Sequence, residues 1–306
     1  MAALTAFVAI DLALNSGLFP LDGPAVLTRS ATMIQMSTAL GRGQTIGGEF
    51  TYAADGTLIA GTIRSLTETV GSVRYEASGF DLDVDLYSER LAVGDVFGAR
   101  ALLLAGDDAI AGSPGPDRLL GFDGDDLMSG DFDADEMNGN RGADTVLGGH
   151  GSDSIHGGQG ADLVDGEAGN DLAAGSKGAD DVRGGPGDDR VHGGQDNDRV
   201  DGGDGNDTVY VDLGDDALYG RAGADVFAFG NGSGRDVIED FDPRGEGDRI
   251  AVSALINGTT IEDSADIAAR VGTSPEGALV QLGGNNVILL RNYFPADLVA
   301  SDFLIL

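Results

Sequence analysis

A nine-residue repeat runs without insertion from Leu103 to Ala228 and fills 14 consecutive units. It is clearest in units 148–156, 157–165 and 202–210. There, Gly occupies positions one, two and four, Asp position six and an aliphatic residue position eight. A fixed period of this kind is typical of architectures in which each unit buries its apolar face only against its neighbours. The repeat therefore constrains the fold of this segment more than any other feature of the chain.

The apolar residue at position eight predicts a short strand at positions seven to nine. Strand residues alternate between faces, so position eight points inward and positions seven and nine point outward. Gly at positions one and four permits positive φ, so positions one to six are predicted to turn the chain. Two units then make one 18-residue coil. Seven coils stacked at about 4.8 Å give a rod roughly 34 Å long.

Every unit carries an Asp at position six. Stacked coils would place each Asp above the one two units further on, which gives two columns of carboxylates. Acids outnumber bases 29 to 7 over 103–228, so the columns would repel unless cations lie between them. Ca²⁺ fits because it accepts six to eight oxygens, carbonyls included, whereas Mg²⁺ demands a small octahedron. The predicted carboxylate ligands are Asp108, Asp117, Asp126, Asp135, Asp144, Asp153, Asp162, Asp171, Asp180, Asp189, Asp198, Asp207, Asp216 and Asp225.

Backbone carbonyls in the Gly-rich turns are expected to complete the coordination. Two columns of seven carboxylates leave room for up to about 12 ions, whose charge would nearly cancel that of the segment. Weak or missing ions are expected near Leu103 and Val211, which replace the leading Gly. Val211 is β-branched, and such a residue at positive φ is disfavoured. The carbonyl ligands are predicted near Gly112, Gly121, Gly130, Gly139, Gly148, Gly157, Gly166, Gly175, Gly184, Gly193 and Gly202.

The 14 units resemble the RTX or haemolysin-type calcium-binding repeat family, whose pattern is G-G-x-G-x-D-x-U-x. The resemblance implies a parallel β-roll, which is a right-handed, calcium-binding β-solenoid in an all-β protein. It also implies that Asp carboxylates and turn carbonyls hold Ca²⁺ between successive turns. The residues by themselves leave two alternatives open, a metal-free solenoid and a disordered Gly- and Asp-rich tract.

Residues 229–306 resemble the β-rich C-terminal region that follows such repeats. Gly230–Ile238 reads as a fifteenth unit with a longer turn, so Asp236 is a further candidate ligand. The segments Glu239–Asp242 and Gly247–Val252 match the D-F-D and G-D-x-I pattern of that region. The resemblance therefore implies a capping domain at the end of the roll.

Local patterns predict the elements of this C-terminal domain. A short helix is expected over 264–271, with Ser264 as its N-cap and Gly272 as its stop. Apolar strands over 278–282 and 287–290 predict a hairpin that covers the open end of the solenoid.

The last residues, 302–306, are an acid followed by apolar side chains. They are similar to the uncleaved C-terminal signal that RTX proteins use in type I secretion. A last capping strand explains the same residues equally well, and the two roles are compatible.

Residues 1–102 are predicted to form a β-rich N-terminal domain with one helix near 86–104. The stretch 48–63 alternates like a hairpin that turns at Asp55-Gly56. Further strands are expected at 72–75 and 80–84. No chemistry can be assigned to this domain from its pattern.

The composition excludes several classes of function. A net charge of −34 disfavours nucleic acid and anionic membrane as partners, and no apolar run is long enough to span a bilayer. There is no Cys, so thiolate sites and Cys nucleophiles are excluded. The motifs H-E-x-x-H, G-x-S-x-G and the P-loop are absent, and no catalytic residue is assigned.

Three functions are consistent with these patterns. The first is a secreted, non-enzymatic protein that folds on Ca²⁺ outside the cell and acts at the cell surface or in the matrix, with the type I secretion machinery as a partner. The second is a small secreted hydrolase or lyase with a carboxylate site in 1–102, an acid–base pair built from Glu76, Asp81, Asp83 and Asp85 with Tyr75. Those acids also fit the solvated face of a half-buried strand. The third is a cytosolic Ca²⁺ buffer.

Overall fold

The N-terminal strands form one antiparallel sheet in a computed structural model of the chain. The sheet has five strands in chain order, and β3 pairs with β4 as the predicted hairpin requires. The strands are β1 (Val26–Arg29), β2 (Met33–Ser37), β3 (Gly43–Tyr52), β4 (Leu58–Val70) and β5 (Val73–Asp83). The structure describes residues 26–29, 33–37, 43–52, 58–70, 73–83, 106–112 and 114–306.

Two N-terminal predictions fall on or beyond the last strand of this sheet. The helix near 86–104 lies outside the described residues. Of the acids weighed as a carboxylate site, Glu76, Asp81 and Asp83 lie on β5, and Asp85 lies outside the described residues.

The repeats form two parallel sheets, with successive strands alternating between them. Each strand pairs with the one 18 residues further on, as Ser154 does with Leu172. The predicted β-solenoid of about seven 18-residue coils is confirmed. Its strands are β6 (Ala109–Ala111), β7 (Arg118–Asp123), β8 (Leu127–Ser129), β9 (Glu136–Arg141), β10 (Thr145–Gly151), β11 (Ser154–Gln159), β12 (Leu163–Gly169), β13 (Leu172–Lys177), β14 (Asp181–Pro186), β15 (Arg190–Gln195), β16 (Arg199–Asp204), β17 (Thr208–Val211), β18 (Ala217–Ala222) and β19 (Val226–Phe229).

Most of these strands are longer than predicted. A six-residue strand such as β11 covers positions seven to nine of one unit and positions one to three of the next. Its burial alternates so that Ile155 at position eight and Gly157 at position one both face inward. The prediction that positions one to six all turn the chain was therefore wrong. Gly at position one prolongs the inward-facing row without filling space.

Each unit contributes one apolar side chain, at position eight, to the interior of the roll. Position eight is buried in every described unit, from Ile110 to Phe227, and even the small Ala173 is fully enclosed. A core this thin cannot offset the conformational entropy of so many ordered residues, which is about 1–2 kcal/mol for each backbone unit. Another interaction must stabilise the stack.

The C-terminal strands extend both sheets of the roll. Strand β26 pairs with β20, and β27 pairs with β21, so the sheets continue into this domain. The predicted hairpin is confirmed as β25 and β26, and it covers the end of the longer sheet. The elements are β20 (Arg235–Ile238), β21 (Arg249–Val252), β22 (Leu255–Ile256), β23 (Thr259–Thr260), α1 (Ser264–Ala268), β24 (Val271–Ser274), β25 (Gly277–Gly283), β26 (Asn286–Arg291), 3-10 turns at Pro295–Asp297 and Ala300–Asp302, and β27 (Phe303–Ile305).

The N-cap of the helix lies one residue earlier than predicted. Asp263 is the N-cap, because its carboxylate accepts hydrogen bonds from the backbone N–H groups of Ala265 and Asp266. Ser264 is instead the first helical residue, and α1 ends at Ala268 rather than before Gly272. No helix within the described ranges is long and apolar enough to cross a membrane.

Candidate metal centre

The position-six aspartates form two columns inside the roll. In the first twelve of them, the backbone N–H donates to Oδ1 of the Asp 18 residues further on, as Asp144 does to Asp162 at 2.9 Å. One column runs from Asp108 to Asp216 and the other from Asp117 to Asp225. The structure thus brings all 14 predicted carboxylates into the two predicted stacks, and all of them are buried.

In twelve of these fourteen residues, Oδ2 is buried and has no partner. A buried acceptor without a hydrogen bond is costly, and an anionic oxygen is costlier still unless a cation lies beside it. A row of buried, unpartnered oxygens fits a chain of cation sites. Buried, unpartnered Oδ2 atoms belong to Asp108, Asp126, Asp135, Asp144, Asp153, Asp162, Asp171, Asp180, Asp189, Asp198, Asp207, Asp225 and Asp236.

The position-one glycines bring a carbonyl oxygen to the same place. A β-carbon at Gly148 would lie 2.7 Å from Asp153 Oδ2 and 2.6 Å from the carbonyl oxygen of Gly166. At all eleven glycines predicted to mark carbonyl ligands, such a carbon would lie within 3 Å of Oδ2 of the same unit's Asp. The absent side chain therefore lets a carboxylate oxygen and a carbonyl oxygen approach the backbone closely, and oxygens of this kind are the ligands Ca²⁺ prefers.

Backbone oxygens are needed in these sites because the acids do not cluster in threes. Among residues 106–112 and 114–306, no group of three or more His, Asp or Glu side chains could hold a metal by itself. A cation beside Oδ2 would draw its remaining ligands from carbonyls and water.

The left-handed positions differ from those predicted. Positive φ occurs at positions two and four, as at Gly158 (φ 121°) and Gly160 (φ 143°), and not at position one. Val211 is not among the described residues with positive φ, so the reason given for a weak site there was wrong. Val211 instead lies buried in β17, and Asp216 of its unit is the sole column member from Asp126 to Asp236 without a buried, unpartnered Oδ2.

The buried columns hold their protons more tightly than ordinary carboxylates. Burial raises the pKa of Asp126 to about 7 and that of Asp162 to about 6. The hydrogen bond from a backbone N–H lowers each pKa, and the negative charge of the next column member, Asp144 or Asp180, raises it. Without a cation, the ionised column therefore opposes folding at neutral pH.

Sequence reasoning missed two parts of this arrangement. Asp248 ends the second column, since its Oδ1 accepts the backbone N–H of Asp225 at 3.1 Å. The signal was present, because Asp248 and Ile250 have the same spacing as positions six and eight. Asp or Asn at position five also accepts a backbone hydrogen bond from the adjacent coil, outside the columns. These residues are Asp107, Asp125, Asn170, Asp188, Asn197, Asn206 and Asp215.

Gly148→Ala is expected to destabilise the roll by about 2 kcal/mol or more, because the added methyl group meets two oxygens and Ile155 Cδ1 within 3 Å. Gly230→Ala is the matched control, since no atom lies within 4 Å of its β-carbon position and its φ is not positive. Urea unfolding in saturating Ca²⁺ measures both. Equal midpoints for the two variants would contradict the crowded position-one space.

Comparisons with known proteins were made for the sequence and the structure. The model of the RTX calcium-binding nonapeptide repeat matches in four copies, over residues 104–137, 138–173, 174–209 and 201–236. A search of curated proteins found no significant match.

One solved structure similar to the chain is that of the extracellular lipase LipA from Serratia marcescens. The alignment has 17% identity and a TM-score of 0.31, and it covers 65% of this chain and 38% of the lipase. The chain thus spans well under half of the lipase's length, and so weak a likeness carries no argument about activity. The repeat match and the parallel solenoid agree with each other: residues 104–236 of this chain are RTX calcium-binding nonapeptide repeats.

Proposed function

We propose that this chain is a secreted, non-enzymatic calcium-binding protein whose roll folds when it meets Ca²⁺ outside the cell. The observation that carries the proposal is the row of buried, unpartnered Oδ2 atoms facing carbonyl oxygens of the next coil. Calcium supplies the positive charge that these oxygens lack. The proposed ligands are the position-six aspartates, Asp236 and the carbonyls of the position-one glycines.

The columns set the proposed number of ions. The ions lie along two columns, up to about 12 in all. The site near Asp216 is proposed to be weak, because the buried side chain of Val211 occupies position one, where all the other units but the first have Gly. Asp236, whose pKa burial raises to about 8, is proposed to contribute to a further site.

Export before folding follows from the same electrostatics. Repeats with a net charge of −22 repel one another when Ca²⁺ is scarce, as in the cytosol, so the repeats stay extended. Ions outside the cell bind only the folded form and shift the equilibrium towards it. The type I secretion machinery is the proposed exporter, with residues 302–306 as its signal. These residues also form part of the capping strand β27.

Far-UV circular dichroism of the full chain during a Ca²⁺ titration tests the proposal, with Mg²⁺ as control. We expect a cooperative coil-to-β transition between high micromolar and millimolar Ca²⁺ and no transition with Mg²⁺. A roll that is fully folded in chelator and unchanged by Ca²⁺ would overturn the proposal. A transition at submicromolar Ca²⁺ would favour a cytosolic buffer.

A further inference from the structure

The C-terminal coils replace the position-one glycines with apolar side chains. Val211 lies 18 residues after Gly193 and pairs with Phe229, which pairs with Val252, which pairs with Ile305. Val211, Phe229 and Val252 are at most 2% exposed. Where the roll has glycines in close contact with oxygens, this end of the same sheet has packed hydrocarbon.

Two of the three buried aspartates in residues 229–306, Asp248 and Asp302, have partners within the protein on both oxygens. Asp248 accepts backbone N–H groups on both oxygens, from Asp225 at 3.1 Å and Asp242 at 2.8 Å. The carboxylate of Asp302 accepts hydrogen bonds from both terminal nitrogens of Arg244, at 2.8 and 2.9 Å, and from the backbone N–H of Val299 at 2.8 Å. Beyond Asp236, no described carboxylate has a buried oxygen without a partner.

The apolar core is also thicker here than in the roll. Phe241 packs edge-on against Phe227 and Tyr293, with ring centroids 6.3 and 5.6 Å apart. Helix α1 buries Ile267, and β27 buries Phe303, beside the two apolar strands of the hairpin. Burial of this kind stabilises a fold without any ion.

We infer that residues 239–306, the C-terminal cap, keep their fold without calcium, whereas the coils before Val211 do not. The calcium requirement therefore ends within the chain, after Asp236, the last carboxylate with a buried, unpartnered oxygen. The contrast with the coils rests on the proposed function, but the cap's own stability does not. Its two buried aspartates, Asp248 and Asp302, and its core are satisfied by protein groups alone.

Hydrogen exchange of the full chain, read by mass spectrometry of peptides, tests this inference in EGTA and in millimolar Ca²⁺. In EGTA, peptides from 130–200 are expected to exchange within about tenfold of unstructured rates. Peptides from 249–303 are expected to be at least about 100-fold slower. Ca²⁺ should protect the first group strongly and change the second by less than about tenfold.

Two variants with equal charge change sharpen the test. Arg244→Ala leaves the buried Asp302 without its partner and is expected to speed exchange of the cap in EGTA by at least about tenfold. Arg249→Ala removes an exposed arginine and should leave exchange of the cap unchanged.

Two outcomes separate this inference from the proposed function. Cap peptides of the wild-type chain that exchange as fast as the coils in EGTA would overturn the inference and leave the calcium-folded roll intact. Coils already protected in EGTA would overturn the calcium-folded roll and the contrast with the cap. A cap that stays protected in Arg244→Ala would contradict the role given to the ion pair between Arg244 and the buried Asp302.

Discussion

Asp207→Asn is expected to raise the calcium concentration at the midpoint of folding by at least about tenfold, since ligand charge sets the affinity of calcium sites. The Asn carbonyl can still accept the backbone N–H of Asp189, which Asp207 Oδ1 accepts at 2.8 Å. The buried, unpartnered Oδ2 becomes an NH₂ group, which cannot bind a cation. The variant therefore keeps the hydrogen-bonded column and loses one metal ligand.

Asp204→Asn is the matched control, because it removes the same charge three residues away on the exposed surface of β16. Its midpoint should lie within about twofold of the wild type, since exposed charges are screened by salt. Circular dichroism with Ca²⁺ titration measures both variants at one ionic strength. If the two variants shift the midpoint equally, net charge rather than ligation governs folding.

Acid is expected to favour folding of the calcium-free roll. Burial, and after it the neighbouring aspartates, raise the pKa of Asp108 and Asp198 to about 7 from an ordinary value of 3.8. A raised pKa in the folded state contributes stability that is fully present below the unfolded value and is lost as pH rises through about 7. One such shift corresponds to about 4 kcal/mol of folding stability that is lost above pH 7. At lower pH, protons therefore replace calcium in neutralising the columns.

Calcium should reverse this dependence on pH. The bound ions require ionised carboxylates, so protons compete with them, and the calcium-loaded roll is expected to lose stability as pH falls. The two pH profiles should therefore have opposite slopes between about pH 5 and pH 8.

Circular dichroism in calcium-depleted buffer from pH 8 to pH 5 measures the first profile, and the same series in millimolar Ca²⁺ measures the second. Sedimentation should accompany both, because the chain approaches its isoelectric point of about 4.1 at the acid end. A calcium-free roll that gains no β-structure at pH 5 would contradict the protonation argument.

The period of the repeat was sufficient to predict the solenoid, its 18-residue coil and the columns of aspartates. Asp at position six and an aliphatic residue at position eight keep a fixed spacing, and a fixed spacing on stacked coils determines which side chains share a column. Asp236 continues the first column although it lies 20 residues beyond Asp216, whose N–H it accepts, because the fifteenth unit has a longer turn.

The inner geometry of each unit was harder to predict. The pattern shows that Gly is favoured at positions one, two and four, but it does not show why. Gly158 adopts positive φ, whereas Gly148 needs the absence of a β-carbon. Both requirements give the same letter in the sequence, so the extent of the strand and the reason for the weak site at Val211 were assigned wrongly.

The C-terminal domain departs from the repeat, and there prediction reached only local elements. The partnership of Arg244 with Asp302 joins residues 58 positions apart, and no periodic spacing indicates it. Asp248 lies 23 residues beyond Asp225 instead of 18, so a fixed period passes over it.

The alternation of strands between two sheets restricts how the roll can change in length. Removing one nine-residue unit, such as 184–192, would transfer every later strand to the opposite sheet, so Arg199 would no longer share a face with Asp181. Strands β20 and β21 would keep their partners β18 and β19, but each pair would continue the other sheet of the coils before the deletion. Removing 18 residues would leave every later strand on its own sheet. Whole coils can therefore be added or deleted without moving any strand to the other sheet, whereas an odd number of nonapeptides moves every strand that follows, up to the C-terminal end.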